Sequence, residues 1–260
     1  MTAIVLQARI DSSRLPEKSL LPLGGRPFVL RVMEALNRIP AELRVLACTE
    51  DSVAAFSPLA AEAGFSLLAG SKDDVLERYC LALRRFKIDQ VIRATGDNPF
   101  VFADAAAAIN AEAMALGADY AGYSGLPYGA GVESIRAEAL LRAEAEAAAL
   151  YEREHVCPYL YGHPELFRLH RPLTPLRWQG GSADQPLSAK PPLNVRLTVD
   201  TEEDYERAQM LYAALDTMET DGALTGDQRY HGPAIIGAHR LLFSATSASL
   251  RENNGMGAAQ

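Results

Sequence analysis

The residues best suited to chemistry begin near the N-terminus, in the polar stretch 7–18. This stretch follows a short apolar run, residues 3–6, that is typical of a buried parallel strand. Ligands in open α/β sheets bind beyond the carboxyl ends of the strands, where Arg and Lys can donate charge-assisted hydrogen bonds to phosphate oxygens. The pattern therefore predicts a phosphate site rather than a solvated surface loop. Its candidate ligands are three cations and two hydroxyls: Arg9, Arg14, Lys18, Ser12 and Ser13.

A second polar site follows the predicted strand 90–95, where the chain continues as Gly-Asp-Asn-Pro over residues 96–99. Asp97 should lie at the carboxyl edge of the sheet, beside the phosphate site. An Asx turn alone could explain this residue. Next to a phosphate site, however, a carboxylate favours Mg²⁺, which binds one or two carboxylates together with substrate phosphates. We therefore predict that Asp97 is a magnesium ligand.

Two further stretches have ordinary structural explanations as well. Thr201 can cap a helix whose acidic first turn suits the helix dipole, but this does not explain Asp200, which follows the predicted strand 194–199. His155 lies close to a proline, where a lone histidine is usually packed or capping. A histidine can also transfer protons near neutral pH. We favour a positioning role for His155 at an acceptor or metal site.

Strands and helices alternate along the chain, and this alternation is what must position these residues. It predicts an α/β fold with a mostly parallel twisted sheet and helices on both faces. Apolar and alternating runs predict strands at 3–6, 43–48, 65–68, 90–95, 118–123, 132–135, 166–171 and 194–199. Helical patterns predict helices at 27–38, 51–63, 103–116, 137–149 and 201–215, and a further helix capped by Ser71 or Asp73.

The remaining segments read as loops. The glycine-rich stretch 125–131 is a candidate lid over a substrate. Residues 172–192 hold five prolines and the single tryptophan, and we expect them to be loop-like. Beyond residue 216 we expect a short helix within 225–243 and disorder over 244–260.

Composition excludes several classes of protein. The chain of 260 residues is long enough for one elaborated domain, and its net charge of −8 is unfavourable for binding nucleic acid or an anionic membrane surface. No apolar run is long enough to span a bilayer, and the N-terminal run is too short for a signal peptide. The three cysteines lack metal-ligand spacing, so we expect buried free thiols and a cytoplasmic protein.

Five motifs occur along the chain in the order in which the SpsF-like cytidylyltransferases have them, and the chain resembles that family, which is named for spore-coat polysaccharide synthesis. CMP-KDO synthetase and the acylneuraminate cytidylyltransferases are more distant relatives. Three residues depart from the pattern: Asp11 and Glu17 stand where relatives usually have Gly, and Gly131 stands where they have Asp. The motifs are Q-A-R-x-x-S-x-R-L-P-x-K from Gln7, G-S-x-D-D-V-L-x-R-Y from Gly70, R-x-T-G-D-x-P from Arg93, R-E-H-V-x-P-Y from Arg153 and V-D-T-x-x-D-Y from Val199.

The resemblance implies a fold of the nucleotide-diphospho-sugar transferase type and transfer of CMP from CTP to an acidic sugar or related small acceptor. Pyrophosphate would leave, Mg²⁺ would assist, and the product would serve surface polysaccharide biosynthesis. The transferase domain would span residues 1–215, with an antiparallel insertion at about 122–192 that covers the acceptor and helps to form a homodimer. Residues 216–260 would form a partly disordered extension.

The resemblance also implies roles for individual residues. Asp97 and Asp200 would hold the metal, and together with Arg14 and Lys18 they would carry catalysis. The acceptor pocket would contain Glu133, Arg153 and His155. The nucleotide would contact Ala8, Arg9, Ser12, Arg14, Lys18, Arg78, Arg93 and Thr95.

Two alternatives stay open at this point. The three departures from the motifs are compatible with a non-catalytic nucleotide-binding homologue. A glycosyltransferase of related architecture (the GT-A type) is disfavoured, because that class typically holds its metal with a D-x-D pair and no such pair stands at a predicted strand end.

Overall fold

The protein is built around a seven-stranded sheet in the order β5-β4-β1-β6-β8-β7-β9. The computed structural model describes residues 1–179 and 195–255, and side chains up to residue 243. A separate two-stranded hairpin consists of β2 (Pro22–Leu23) and β3 (Arg26–Pro27). The strands of the main sheet are β1 (Thr2–Gln7), β4 (Leu43–Thr49), β5 (Ser66–Gly70), β6 (Gln90–Thr95), β7 (Tyr120–Ala121), β8 (Glu133–Arg136) and β9 (Leu169–His170).

The sheet is mostly parallel. β5, β4, β1 and β6 pair in parallel, and β9 pairs in parallel with β7. Only β8 runs the other way within this described sheet, between β6 and β7. Because β8 is antiparallel, its first residue, Glu133, lies at the same edge of the sheet as the last residue of β6, and so joins the edge where ligands are expected.

Helices cover both faces of the sheet, as the sequence predicts. The helices are α1 (Phe28–Leu36), α2 (Val53–Ala63), α3 (Val75–Phe86), α4 (Ala103–Leu116), α5 (Ala137–Glu146), α6 (Leu150–His155), α7 (Pro158–Gly162), α8 (Leu176–Gln179), α9 (Glu202–Thr220) and α10 (Gly232–Gly255). Alternate residues of β1 point to opposite faces: Ile4 and Leu6 pack in one apolar core with α1, α2, α4 and α9, and Ala3 and Val5 pack in the other with α3 and α5. Short 3₁₀ turns lie at Lys18–Leu20, Glu50–Ser52 and Gly226–Tyr230.

The predicted strand 194–199 is wrong for the part that the structure describes. Residues 195–199 form one isolated bridge, between Arg196 and Tyr128, and no strand of the sheet. The physical reason is that the amides of this segment donate to loop carbonyls and not to a strand, Leu197 to Tyr128 at 2.8 Å and Val199 to Asp97 at 2.9 Å. Both edges of β6 are occupied, by β1 and β8.

Of the predicted antiparallel insertion, 122–192, the structure describes residues 122–179. These residues contain the antiparallel strand β8, the helices α5, α6, α7 and α8, and β9, which pairs in parallel with β7. The loop expected over 172–192 includes α8, whose Trp178 is buried and donates its indole N–H to Asp104 Oδ2 at 2.6 Å. The remainder of that predicted loop, residues 180–192, lies outside the described residues.

The C-terminal region also contains more helix than expected. α9 extends to Thr220, and α10 spans Gly232–Gly255, where the sequence predicted a short helix followed by disorder. α10 begins against the domain, because Ile235 and Ile236 are buried in the core that contains α9. Among the helices of the described chain, none is both long enough and apolar enough to cross a bilayer.

Candidate active site

A cavity of about 1010 Å³ opens at the carboxyl edge of the sheet. It lies beyond the ends of β1 and β6, and the starts of β8 and α3 and the last turn of α6 contribute to its walls. The cavity brings together all but one of the residues predicted from the sequence: Ala8, Arg9, Ser12, Arg14, Lys18, Arg78, Arg93, Thr95, Asp97, Glu133, His155 and Asp200.

The polar loop after β1 is anchored rather than free. The Ser19 hydroxyl donates to the Arg9 carbonyl at 2.9 Å, and the Ile10 amide donates to the Ser52 hydroxyl at 2.9 Å. Leu15 is buried in the core. These contacts fix the loop in the wall of the cavity, while the side chains of Arg9 and Arg14 stay exposed.

The two carboxylates that replace glycines in this loop have different surroundings. Asp11 lines the cavity and pairs with Lys72 at 2.6 Å, and hydrogen bonding to Lys72 lowers the pKa of Asp11. Glu17 is exposed, is not part of the cavity wall and adopts a left-handed backbone conformation (φ 52°). One negative charge is therefore matched by a cation, and the other lies outside the cavity.

Arg78 is the most unusual cation of the site. It is 3% exposed, and its Nε and Nη1 atoms have no hydrogen-bond partner among the described residues. Burial lowers the pKa of its guanidinium. Gly70 makes room for it, because a Cβ at that position would lie 2.7 Å from Arg78 Cγ. A buried cation without an acceptor, facing a cavity, is arranged to receive an anion.

The two candidate metal ligands are linked through the backbone. The Val199 amide donates to the Asp97 carbonyl at 2.9 Å, which places the residue before Asp200 against Asp97. The Asp97 carboxylate accepts a hydrogen bond from the Thr95 hydroxyl. Asp200 Oδ1 lies 3.1 Å from Arg14 Nη2 and 3.6 Å from Lys18 Nζ.

These residues fit a cation that completes its coordination with substrate. Among the described residues, no group of three or more His, Cys, Asp or Glu side chains is arranged to hold a metal ion. Two carboxylates on one cavity, beside cations suited to phosphates, are the donor set that Mg²⁺ uses when substrate phosphates and water supply the other ligands.

Arg93 and Glu133 bind each other. They are direct partners in the pairing of β6 with β8, and Arg93 Nη1 donates to Glu133 Oε2 at 2.5 Å. Burial alone would lower the pKa of Arg93, but the charge of Glu133 holds it above its usual range. The pair therefore forms a neutral wall of the cavity, and the Nε of Arg93 is buried without a partner.

Arg153 is the predicted site residue that the structure does not bring to the cavity. Its Nε donates to Asp74 Oδ2 at 2.8 Å and its Nη1 to the Glu144 carbonyl at 2.6 Å. Asp74 in turn caps α3 by accepting from the Glu77 amide. Arg153 thus ties α6 to the start of α3 and is not among the residues that line the cavity.

His155 does reach the cavity, and an unusual turn follows it. The His155 ring packs against the Tyr151 ring with centroids 4.5 Å apart and an interplanar angle of 56°. Val156 is fully buried with a φ of 70°, and the Cys157 amide donates back to the His155 carbonyl at 2.8 Å. This γ-turn geometry is rare for a β-branched residue, and it fixes the direction in which α6 ends.

Several residues of the site were missed from the sequence. Lys72 lines the cavity. The sequence feature that could have identified it is a cation beside the predicted caps of α3, Ser71 and Asp73. Arg196 and Asp204 surround Asp200, and Asp204 was visible in the V-D-T-x-x-D-Y motif. Aromatic walls had no sequence signal, because they come from strand and loop positions far apart: Tyr120, Tyr123 and Tyr128.

Known proteins share both the sequence pattern and the fold. The cytidylyltransferase family profile matches residues 3–223. The spore coat polysaccharide biosynthesis protein SpsF of Bacillus subtilis is 31% identical over 218 residues, which cover 80% of this chain and 85% of SpsF.

Solved structures agree. A cytidylyltransferase from Leptospira borgpetersenii superposes with a TM-score of 0.71 at 23% identity, covering 85% of this chain and 95% of that one. A CMP:2-keto-3-deoxy-manno-octonic acid synthetase solved in complex with CTP superposes with a TM-score of 0.60 at 16% identity, covering 82% and 98%. From the family match across most of its length, the likeness to SpsF and the shared α/β fold, this chain belongs to the SpsF-like cytidylyltransferases.

Proposed function

We propose that the protein transfers CMP from CTP to a hydroxyl group of an acidic sugar or related small acceptor, with release of pyrophosphate, for surface polysaccharide biosynthesis. Two of its relatives support this: SpsF is named for polysaccharide biosynthesis, and the synthetase of a sugar acid was solved with CTP. We also propose a cytoplasmic homodimer, in keeping with the resemblance and with the three buried free thiols.

The observation that carries the proposal is the unpartnered, buried guanidinium of Arg78 in a cavity that also holds Arg9, Arg14 and Lys18. A triphosphate would supply the acceptor oxygens that Arg78 lacks. Arg14 and Lys18 would neutralise the charge that moves onto the leaving pyrophosphate. Ala8, Ser12 and Thr95 lie on the same wall and would contact the nucleotide.

In the proposed step, the acceptor oxygen forms a bond to the α-phosphorus of CTP. The bond between that phosphorus and the bridging oxygen breaks, and pyrophosphate leaves with the electron pair. The proton of the acceptor hydroxyl passes to water at the open mouth of the cavity. Catalysis of this kind relies on positioning and charge neutralisation.

Asp97 and Asp200 would hold Mg²⁺, which when bound would supply positive charge at the phosphates. The Thr95 hydroxyl, which donates to Asp97, would orient that carboxylate. Glu133 and His155 would contribute to the acceptor pocket, Glu133 through its pair with Arg93.

The test combines thermal shift and pyrophosphate release on the wild type and Asp97→Asn. A CTP-selective rise in the melting temperature that requires Mg²⁺ is expected for the wild type, because a ligand that binds only the native state raises that temperature. In Asp97→Asn, turnover with a sugar-acid panel should fall at least about 100-fold while the fold is retained.

Near-normal turnover in Asp97→Asn would contradict the proposal that Asp97 is a metal ligand. Nucleotide binding by the wild type without pyrophosphate release for any acceptor would favour the non-catalytic homologue. The pairing of Asp11 with Lys72 argues against that alternative, because a cation balances the carboxylate that replaces glycine in the phosphate loop.

A further inference from the structure

A second carboxylate, Asp204, lies directly behind Asp200 and is almost fully buried, at 4% exposure. It accepts hydrogen bonds from the backbone amides of Asp200 at 3.0 Å and Thr201 at 3.2 Å. It also accepts from Arg196 Nε at 3.0 Å and from the guanidinium of Arg207. Donors from four residues within 196–207 thus converge on one carboxylate.

The ordinary explanation is a capping box at the start of α9. Thr201 accepts from the Asp204 amide at 3.2 Å, and Asp204 accepts from the Thr201 amide, which is the reciprocal pattern of such a box. Capping explains these two bonds. It explains neither the bond from the Asp200 amide nor the position of Arg196.

Arg196 connects the two carboxylates. Its Nε binds Asp204 Oδ1 and its Nη2 binds Asp200 Oδ2 at 2.9 Å. The other oxygen of Asp200, Oδ1, faces Arg14 and Lys18 of the cavity. Arg196 therefore holds one oxygen of Asp200 and leaves the other directed to the site.

We propose that Asp204 is a positioning residue: with Arg196 as the intermediate, it fixes the backbone and the rotation of Asp200, so that a single carboxylate oxygen is presented to the divalent metal. The proposal rests on the metal role of Asp200 given above and deepens it. Partners of this kind, one step removed from a metal ligand, typically contribute 10- to 100-fold to metal affinity or activity.

The loop 125–131 reinforces the position of Arg196. The Arg196 guanidinium lies over the Tyr128 ring at 5.1 Å, and the Leu197 amide donates to the Tyr128 carbonyl at 2.8 Å. Arg196 and the two carboxylates that it binds, Asp200 and Asp204, are thus held between α9 and the part of the cavity wall that contains Tyr128. A residue placed this way can affect the metal without touching it.

The experiment measures Mn²⁺ affinity by electron paramagnetic resonance at saturating CTP, with Mn²⁺ as a visible substitute for Mg²⁺ and CTP alone as the reference. Asp204→Asn should weaken Mn²⁺ binding roughly 10-fold and lower kcat by a similar factor, with the KM for CTP within about threefold of the wild type. Asp216→Asn is the matched control: it lies on the same helix in an ion pair with Arg229 and should change neither.

Arg196→Gln keeps the capping box and should reproduce the loss of Mn²⁺ affinity, so the test survives if Asp204→Asn does not fold. A lower melting temperature with unchanged Mn²⁺ affinity in both variants would overturn the proposal and leave Asp204 as a cap only. Asp200→Asn distinguishes a failure of the metal role of Asp200 from a failure of the positioning role of Asp204. Unchanged Mn²⁺ affinity in Asp200→Asn would remove the metal role of Asp200 and this proposal with it, whereas its loss in Asp200→Asn alone would remove only the role of Asp204.

Discussion

At the scale of single residues, Arg78 carries a buried positive charge that lacks hydrogen-bond acceptors in the part of the chain that the structure describes. Its guanidinium is buried, and two of its nitrogens find no acceptor among the described residues. A buried cation without a partner costs free energy in the unliganded protein. The same cost becomes a gain when an anion arrives, because the ligand then supplies the missing acceptors.

We predict that Arg78→Met will weaken CTP binding while leaving the melting temperature of the unliganded protein unchanged or higher. Loss of one charge-assisted hydrogen bond, about 1.5–3 kcal/mol, corresponds to an affinity roughly 10- to 100-fold lower. Isothermal titration with CTP and Mg²⁺ measures the affinity, and a melting scan without ligand measures stability. Arg84→Met, on the same helix in an exposed pair with Glu144, is the control and should bind CTP normally. Normal CTP affinity in Arg78→Met would mean that the guanidinium is only structural.

At the scale of elements, two residues that flank helical elements have left-handed backbone conformations although they are not glycine. Glu17 (φ 52°) precedes the 3₁₀ turn Lys18–Leu20 that closes the phosphate loop, and Lys87 (φ 55°) ends α3. Left-handed backbone costs an ordinary residue about 1–2 kcal/mol, a cost that glycine does not have. Both side chains are exposed, so a change to glycine removes little packing.

We predict that Glu17→Gly and Lys87→Gly will each raise the free energy of unfolding, by up to about 1 kcal/mol, because the relief of native-state strain outweighs the added conformational freedom of the unfolded chain. Urea unfolding measures this. The pair also separates stability from binding: Glu17 lies in the phosphate loop and Lys87 does not. If Glu17 weakens the triphosphate site through its charge, only Glu17→Gly will also tighten CTP binding. Equal CTP affinity in the two variants would show that its carboxylate has no influence on the site.

At the scale of the whole molecule, three free thiols are buried in the two cores on either side of the sheet. Burial raises the pKa of Cys48 to about 11 and raises the pKa values of Cys80 and Cys157 as well. In the unfolded chain these thiols ionise near their ordinary pKa of about 8.5. Above that pH the unfolded state binds fewer protons than the folded state, so stability must fall as the pH rises.

We predict a decline in the free energy of unfolding that starts near pH 9 and, for Cys48, continues to about pH 11. The slope should approach about 1.4 kcal/mol per pH unit for each thiol. Urea unfolding at pH 8, 9 and 10 in reductant measures it. Cys48→Ala should make the decline shallower by the share of one thiol. A free energy that is constant over this range would contradict the raised pKa values.

The sequence by itself determined the parallel half of the sheet, β5-β4-β1-β6, and which polar residues meet at its carboxyl edge. Each of the strands β1, β4, β5 and β6 is rich in apolar residues, so its place in the sheet is encoded in its own residues, and the order of strand and helix selects the parallel arrangement. Polar residues directly after β1 and β6 must then meet at one edge. This is why Arg9, Arg14 and Asp97 could be placed together in advance and are found around one cavity.

Only the tertiary structure decided which charges pair with each other. Arg93 and Glu133 are 40 residues apart, and Arg153 and Asp74 are 79 apart, so their pairing follows from the register of β8 and the docking of α6. Tertiary structure also decided the fate of the segment 195–199, which is apolar enough for a strand but bonds to the loop residues Tyr128 and Asp97. The hydrophobic pattern of a sequence indicates which positions are buried. The partner of a buried charge depends on which elements are neighbours, and the isolation of Arg78 and the clamp on Asp200 arise at that level.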